Sequence, residues 1–580
     1  MIIQSNATPL TPAGSQFVIG NGDFALAKAG NPVIEYDSSL VPEDRLQNWP
    51  MVYILINDTE AYVGQTTNVI RRMSQHGSNE DKSSFTTINV IYNSEFNASV
   101  VTDYEHRLIQ LMHADGMYQL TNKNEGLSNL NYFSKAEYDE MFEDLWDELR
   151  DIELVWHSIA ELEESEVFKY SPFKALTADQ QVALQNILDA IEKGLENAEP
   201  IVVEGMPGTG KTVLAVYLLK TLRDMAEDGV AEHEKFKGLN IRIVEPVTAL
   251  KSTLRRSLKG VRYIGGSDVI GPTDLVKPEY GYRPGEKGFD ILLVDEAHKL
   301  KQRKNLGTQF GNYDKVSGTL GFDKEASQLD WVLDQAKLPI LFFDPLQVIG
   351  PSGLGDDYMR SRLGDALDHP IRLESQMRVK GGTAYLKYVQ EMLEGAIMPA
   401  GKFEGYDFRL FEDFGVFEKL FQETIEEHSL TRMIAGYAWE WRTKKGRATA
   451  AFDIELDGVQ KRWNCTYDNW VGKGVDDPAI ANEVGCIHSI QGYDLSYAFV
   501  VLGNDIRYDV ETGSIYADRS SYFDKNGKNT ATDEELTQYI KNIYYVLLTR
   551  GISGTYLYVC DDALREHLKG FVPVYDQSLV

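Results

Sequence analysis

Residues 201–219 read Ile-Val-Val-Glu-Gly-Met-Pro-Gly-Thr-Gly-Lys-Thr-Val-Leu-Ala-Val-Tyr-Leu-Leu, and no other stretch constrains the fold as tightly. Residues 201–203 are short and apolar, as a buried strand is, and residues 213–219 continue as an apolar helix. Between them stand Gly205, Gly208 and Gly210. Glycines let backbone N–H groups close around a phosphate at the helix N-terminus, where the helix dipole favours anions. An exposed Lys211 is then expected to reach the β- and γ-phosphates, and the Thr212 hydroxyl to hold Mg²⁺. A complete loop in strand-to-helix context predicts an NTP-binding α/β sheet.

The chain has 580 residues, too many for one core, so two to four domains are expected. It contains no run of about 18 apolar residues, and no membrane partner is expected. The opening Met-Ile-Ile-Gln-Ser-Asn lacks the basic and apolar regions of a signal peptide. Cys465, Cys486 and Cys560 are scattered, without metal-ligand spacing, and fit a reducing compartment. The expected location is therefore the cytoplasm. A net charge of -30 argues by itself against nucleic acid, whose backbone binds Lys and Arg. The acid is concentrated, however, in residues 137–153 and 161–166, while basic stretches survive at 251–259 and 299–304. Local charge decides a binding groove.

Residues 1–48 are rich in turn formers and predict an irregular arm. Residues 49–133 alternate β-type runs (52–56, 61–64, 88–92) with helical patterns near 67–76 and 101–113, which predicts a compact α/β unit. Acidic residues 134–169 keep Phe142, Leu145, Trp146 and Leu149 at helical spacing, the pattern of a connecting helix with one buried stripe. From about 170 onward strands followed by helices recur, predicting parallel α/β sheets over 170–370 and 371–580. The Gly-rich polar segment 305–323 is expected to be a mobile loop.

Residues 289–298 form an apolar run ending in Asp295, Glu296, Ala297 and His298. Strand C-terminal ends face ligands in open α/β sheets. Asp295 is expected to orient Mg²⁺, and Glu296 to position and deprotonate the attacking water. Ahead of the loop, Thr177 is a plausible helix N-cap, and Gln180 carries an amide able to read an adenine edge. Asp344 and Gln347 follow a third apolar run, and Arg378 and Arg550 each follow an apolar stretch. Two separated arginines suit a cleft that stabilises γ-phosphate charge.

In order, these segments resemble superfamily 1 helicases over about residues 170–565. Gln180 matches the adenine-reading motif, 205–212 and Asp295 with Glu296 the Walker A and B motifs, and Asp344 with Gln347 the coupling motif. Arg378 matches the fourth-motif arginine, and Arg550 the arginine finger. His488-Ser489-Ile490-Gln491-Gly492-Tyr493-Asp494 matches the His-x-x-Gln-Gly motif, so Gln491 and Gly492 join the nucleotide-binding set. The resemblance implies two RecA-like folds with ATP between them. Residues 432–441 are similar to the signature of a bacterial group of uncharacterised ATPases with DEAH boxes.

A second set lies in residues 49–130. Tyr53 and Tyr62-Val63-Gly64 close adjacent strand patterns, Arg72 and His76 lie one helical turn apart, Glu105 sits in a helical run, and Asn122 follows. Together they resemble the GIY-YIG nucleases, with Met51-Val52 where that family has Gly-Ile. The resemblance implies a single Mg²⁺ held by Glu105 and phosphodiester charge stabilised by Arg72 and His76. It implies Tyr53 or Tyr62, lowered in pKa, as the base, and Asn122, or its near match Asn124, as a buttress.

The expected fold class is thus α/β: a small GIY-YIG α/β nuclease domain, then two RecA-like parallel-sheet domains. The expected function is a DNA motor using ATP and Mg²⁺, coupled to an endonuclease in bacterial anti-phage defence or restriction. The alternatives are a DNA-repair nuclease-helicase, or an ATP-switched scaffold whose nuclease fold only binds. DNA is the expected nucleic acid. A second copy of the chain or a second defence protein is the protein partner the pattern leaves open.

Overall fold

In the computed structural model the described residues are 17–24, 34–35, 43–77, 82–122, 132–163, 165–196, 198–259, 261–396, 399, 401–428, 430–444, 449–465, 470–490 and 493–576. The chain divides into two compact units interleaved along the sequence. One comprises Met1–Ala178, Thr212–Ile243 and Leu250–Ile270; the other comprises Asp179–Lys211, Val244–Ala249 and Gly271–Val580.

The first unit contains β1 (Val18–Asp23), β2 (Ile34–Glu35), β3 (Met51–Ile56), β4 (Glu60–Thr66), α1 (Val69–Gly77), β5 (Thr87–Tyr92), α2 (Ala98–Asp115), β6 (Gln119–Leu120) and α3 (Lys135–Asp151). Among the described residues its sheet has the order β2-β1-β5-β3-β4-β6. β3 lies between β4 and β5, and Met51 through Leu55 are fully buried, which is why this strand is a continuous apolar run. Val69 and Met73 of α1 join Met51, Tyr53 and Leu55 in one core. Asn97 caps α2 by accepting from Ser99 N and Val100 N, and Gly116, at φ +74°, ends it.

Two expectations change here. Residues 1–48 are not simply an irregular arm, because β1 pairs antiparallel with β5 from Val18 opposite Tyr92 to Asp23 opposite Thr87. The acidic segment carries the expected stripe, with Phe142, Leu145, Trp146 and Leu149 buried on α3. The stripe packs on α2: Phe142 stands edge-on to Tyr104 at 4.9 Å, and Tyr104 Oη donates to Tyr138 O at 2.7 Å. Helix α3 ends at Asp151, and shorter helices, Ile159–Glu163 and Glu166–Lys169, follow.

Next along the chain come α4 (Ala178–Glu192), β7 (Ile201–Gly205), α5 (Lys211–Glu227), β8 (Ile241–Val244), β9 (Val269–Ile270), β10 (Phe289–Val294), α6 (Phe310–Thr319), β11 (Ala336–Phe343) and β12 (Ile371–Leu373). In the second unit β12, β7, β11 and β10 lie side by side, all parallel. Their C-terminal ends therefore share one edge. The mobile loop expected at 305–323 is instead mostly α6, preceded by a 3₁₀ turn over Gly307–Gln309. Packing overrides the glycines: Tyr313 is buried 4.6 Å from the Trp331 ring and donates to Ala326 O at 2.7 Å.

The strands that follow are β13 (Asp407–Phe411), β14 (Arg432–Ala435), β15 (Ile454–Leu456), β16 (Val459–Trp463), β17 (Glu483–Val484), β18 (Leu495–Leu502), β19 (Ile506–Asp509), β20 (Ser514–Ala517) and β21 (Gly551–Val559), with α7 (Asp533–Leu548) before the last. A parallel sheet of order β13-β21-β18-β14 carries this half. Its core gathers Phe414, Phe417, Phe421, Phe499 and Leu557. Arg432 is fully buried at the start of β14, donates to Thr431 O, Val471 O and Lys473 O, and is pushed down to about 10 by burial. Among the described residues no helix is long and apolar enough to cross a membrane.

Candidate active sites

The loop after β7 is built around bare glycines. Gly208 and Gly210 adopt φ +83° and +74°, values that disfavour any side chain. A Cβ on Gly205 would lie 2.4 Å from Thr209 Oγ1, and one on Gly210 would lie 2.3 Å from Gln180 Nε2. Gln180, fully buried on α4, donates from Nε2 to Thr209 O at 2.8 Å. In this geometry its amide holds the phosphate loop, a different task from the expected reading of an adenine edge.

Lys211 is buried, where an exposed side chain was expected, because its ammonium turns back onto the loop. Nζ donates to Gly205 O at 2.6 Å and Met206 O at 3.1 Å, and lies 3.6 Å from Asp344 Oδ2. Thr212 follows in the first turn of α5. The loop thus has the positive-φ glycines, backbone amides and buried cation that a nucleotide's phosphates require.

The neighbouring strand ends supply the rest. Asp295, fully buried after β10, donates its N–H to Val244 O at 3.0 Å. Glu296 takes a left-handed turn at φ +47°, which brings its carboxylate to 2.8 Å from His298 Nε2. Burial pushes that carboxyl up, but the charges of His298, Lys211 and Lys299 outweigh it and hold it well below the usual carboxylate range. After β11, Asp344 accepts from Leu346 N at 3.1 Å and from Gln347 Nε2 at 2.7 Å. The Gln347 carbonyl accepts from Lys299 Nζ at 3.2 Å. Burial pushes Lys299 down to about 8, with the charge of Arg550 adding to it against the pull of Glu296.

After β12, Gln376 Nε2 donates to Pro207 O at 2.7 Å and Met377 N to Gly208 O at 2.9 Å, so this segment lies on the loop itself. Arg378 Nε is 2.5 Å from Asp494 Oδ1, and Arg550 Nη1 is 3.4 Å from Tyr493 O. Gln491 and Gly492 lie outside the described residues. The contributions of Gln376, Lys299 and Asp494 escape a reading of the sequence; each adjoins a recognised motif, but side-chain type alone does not say what it will touch.

The second cluster lies in the first unit. Tyr53 is fully buried on β3, and its Oη is 2.7 Å from His76 Nε2 and accepts from Arg72 Nε at 3.2 Å. The rings of Tyr53 and Tyr62 are 6.2 Å apart, and Tyr62 meets His76 edge-on at 5.6 Å. Gly64 must be glycine, because a Cβ there would stand 2.3 Å from Tyr53 Oη. Asn122 accepts from Val63 N at 3.1 Å and donates to Val63 O at 2.8 Å, which pins the strand carrying Tyr62 and Gly64. Asn124, its near match, lies outside the described residues.

The expected lowering of the tyrosines is not found. Burial pushes both phenols up, Tyr53 strongly and with Tyr62 adding to it, and the Arg72 charge does not compensate. Burial, reinforced by the charges of Arg72 and Lys82, pushes His76 down to about 4. A neutral imidazole therefore faces a protonated phenol. Since Tyr53 Oη already accepts from Arg72, its proton is free to point at His76 Nε2. Glu105 is held up by burial against hydrogen bonding from Gln65 and the charge of Arg72. Among the described residues no group of three or more His, Cys, Asp or Glu is arranged to hold a metal, so Glu105 stands as the single carboxylate of this cluster. Sequence reasoning missed buried Lys82, whose Nζ lies 3.1 Å above the Tyr62 ring.

Among known proteins, an uncharacterised protein of Saccharomyces cerevisiae is 25% identical over 431 residues, covering 68% of this chain and 90% of the yeast protein. The arterivirus nonstructural protein 10 helicase is 14% identical over 66% of this chain, which spans 64% of that protein, at a TM-score of 0.26. The Pif1 helicase of Candida albicans is 10% identical over 70% of this chain and 98% of its own, at 0.27. Both structures are distant. Residues 199–561 match the Schlafen group 3, DNA/RNA helicase domain. That match takes in the phosphate loop, both acidic strand ends and both arginines, and covers more than half of the chain: the protein belongs to the Schlafen group 3 DNA/RNA helicase family.

Proposed function

We propose that the chain is an ATP-driven, helicase- or translocase-type motor acting on DNA and coupled to a Mg²⁺-dependent endonuclease in its first 133 residues. The motor reading is carried by one observation. Lys211, Asp344 and Glu296 converge at the shared edge of parallel strands, with Arg378 and Arg550 reaching the same region. In this reading Lys211 leaves its two carbonyls for the β- and γ-phosphates. Ionised Glu296 takes the proton of the attacking water, and the arginines meet charge that develops on the transferred phosphoryl group. Asp295 and Thr212 would hold Mg²⁺, which supplies neutralisation of phosphate charge.

The nuclease reading rests on Tyr53, Arg72 and His76 bonded to one another beside Glu105. His76, uncharged at neutral pH, receives the Tyr53 proton as that phenol deprotonates water. Arg72 stabilises phosphodiester charge, and Glu105 would hold the single Mg²⁺, which polarises a phosphate oxygen. A role in anti-phage defence or restriction fits a nuclease joined to a motor. The test is nicking of supercoiled plasmid with Mg²⁺, with and without ATP, beside ATP hydrolysis with and without DNA. Loss of both activities from the unaltered chain overturns the reading.

A further inference from the structure

Both arginines expected at the ATP cleft are held by the dipeptide Tyr493-Asp494 leading into β18. Arg378 offers Nε to the Asp494 carboxylate at 2.5 Å, and Arg550 offers Nη1 to the Tyr493 carbonyl at 3.4 Å. The main chain of Arg378 is fixed at the opposite end. Its N–H donates to Gln376 Oε1 at 2.7 Å, Gln376 Nε2 donates to Pro207 O at 2.7 Å, and Met377 N donates to Gly208 O at 2.9 Å. Arg378 Cβ lies 2.8 Å from the position a Cβ on Gly208 would take. The stem of this arginine is therefore anchored on the phosphate loop, while its guanidinium is occupied by a carboxylate. A carboxylate and a phosphate oxygen offer a guanidinium the same charge-assisted bond.

We propose that Asp494 is a positioning residue that occupies Arg378 until a γ-phosphate displaces it, and that this exchange sets the discrimination between ATP and ADP. The inference rests on the reading of the Lys211 loop as an ATP site. ADP has no γ-phosphate and leaves the Arg378–Asp494 pair intact. ATP must break it. Asp494 therefore weakens ATP binding relative to ADP, and gives Arg378 back when phosphate leaves.

The test is calorimetric binding of ADP and of a non-hydrolysable ATP analogue to the full chain as wild type, Asp494→Asn, Arg378→Ala and the double variant, with Asp494→Glu as rescue. For a half-exposed pair Asp494→Asn should tighten the ATP analogue by about fivefold and leave ADP unchanged. The gain should vanish when Arg378 is absent, and Asp494→Glu should restore the wild-type ratio. Equal shifts for both nucleotides, or a gain that persists without Arg378, would overturn the exchange. Should neither nucleotide bind the wild type, or Lys211→Ala bind both as well as wild type, it is the ATP-site reading that fails, and the exchange with it.

Discussion

Replacing Gln180 with alanine separates two tasks for one amide. The side chain is fully buried, and Nε2 donates to the carbonyl of Thr209, itself 2% exposed, at 2.8 Å. Removing that donor from a buried carbonyl costs about 1–3 kcal/mol. If the loop must keep its shape around phosphates, the same cost appears as roughly a 5- to 150-fold loss of affinity. Because the loop bears it, the loss should be equal for ATP, GTP and inorganic tripolyphosphate. Competition against a fluorescent nucleotide measures all three on one preparation, and a thermal melt shows whether the variant is folded. If ATP alone weakens while tripolyphosphate binds as before, Gln180 reads the base and the argument from the loop is refuted.

Lys211→Ala should lower ATP turnover by about 10²-fold or more, since its charge acts on the phosphates; near wild-type steady-state turnover would remove the motor reading. Glu105→Ala should abolish Mg²⁺-dependent plasmid nicking and leave ATP hydrolysis unchanged, whereas continued nicking excludes Glu105 as the metal carboxylate. In Gly64→Ala the new methyl stands 2.3 Å from Tyr53 Oη, so the ring must shift. Overpacking there should cost about 1–3 kcal/mol in a denaturant melt and suppress nicking, and an unchanged melt contradicts the close approach. His76 and His113, both lowered to about 4 by burial against an ordinary value of 6.5, give stability a pH dependence. Between those values the unfolded chain binds more protons, so stability is full above about pH 6.5 and falls as pH drops toward 4. Denaturant midpoints across that window should fall less in the variant carrying both His76→Gln and His113→Gln; an equal fall rules the two histidines out.

What was legible in the chain, and what was not, follows from how far each interaction reaches. The phosphate loop is readable because its requirements are local: Gly208 and Gly210 need positive φ, and a strand and a helix flank them. The acidic strand ends are readable because an apolar run stops at a carboxylate. Gln180 is harder, since an amide does not announce whether it will meet a base or the Thr209 carbonyl 29 positions away. Residues 305–323 look like a loop by their glycines, and only the contact of Tyr313 with Trp331 makes α6 worth forming. The ionisation of Tyr53 and Tyr62 could not be read either. Nearby Arg72 suggests lowering, while the burial that raises both phenols emerges only when β3, β4 and α1 come together.

The pairing of β1 with β5 bears on how the first unit can be cut. Residues 49–133 hold all six residues of the Tyr53 cluster and would be the natural fragment to isolate. Such a fragment would strip β1 from β5 and leave the backbone donors and acceptors of Thr87–Tyr92 without their cross-strand partners. An unprotected apolar edge is a template for another chain, which invites dimers through strand exchange or outright precipitation. A fragment beginning ahead of Val18 keeps that edge covered.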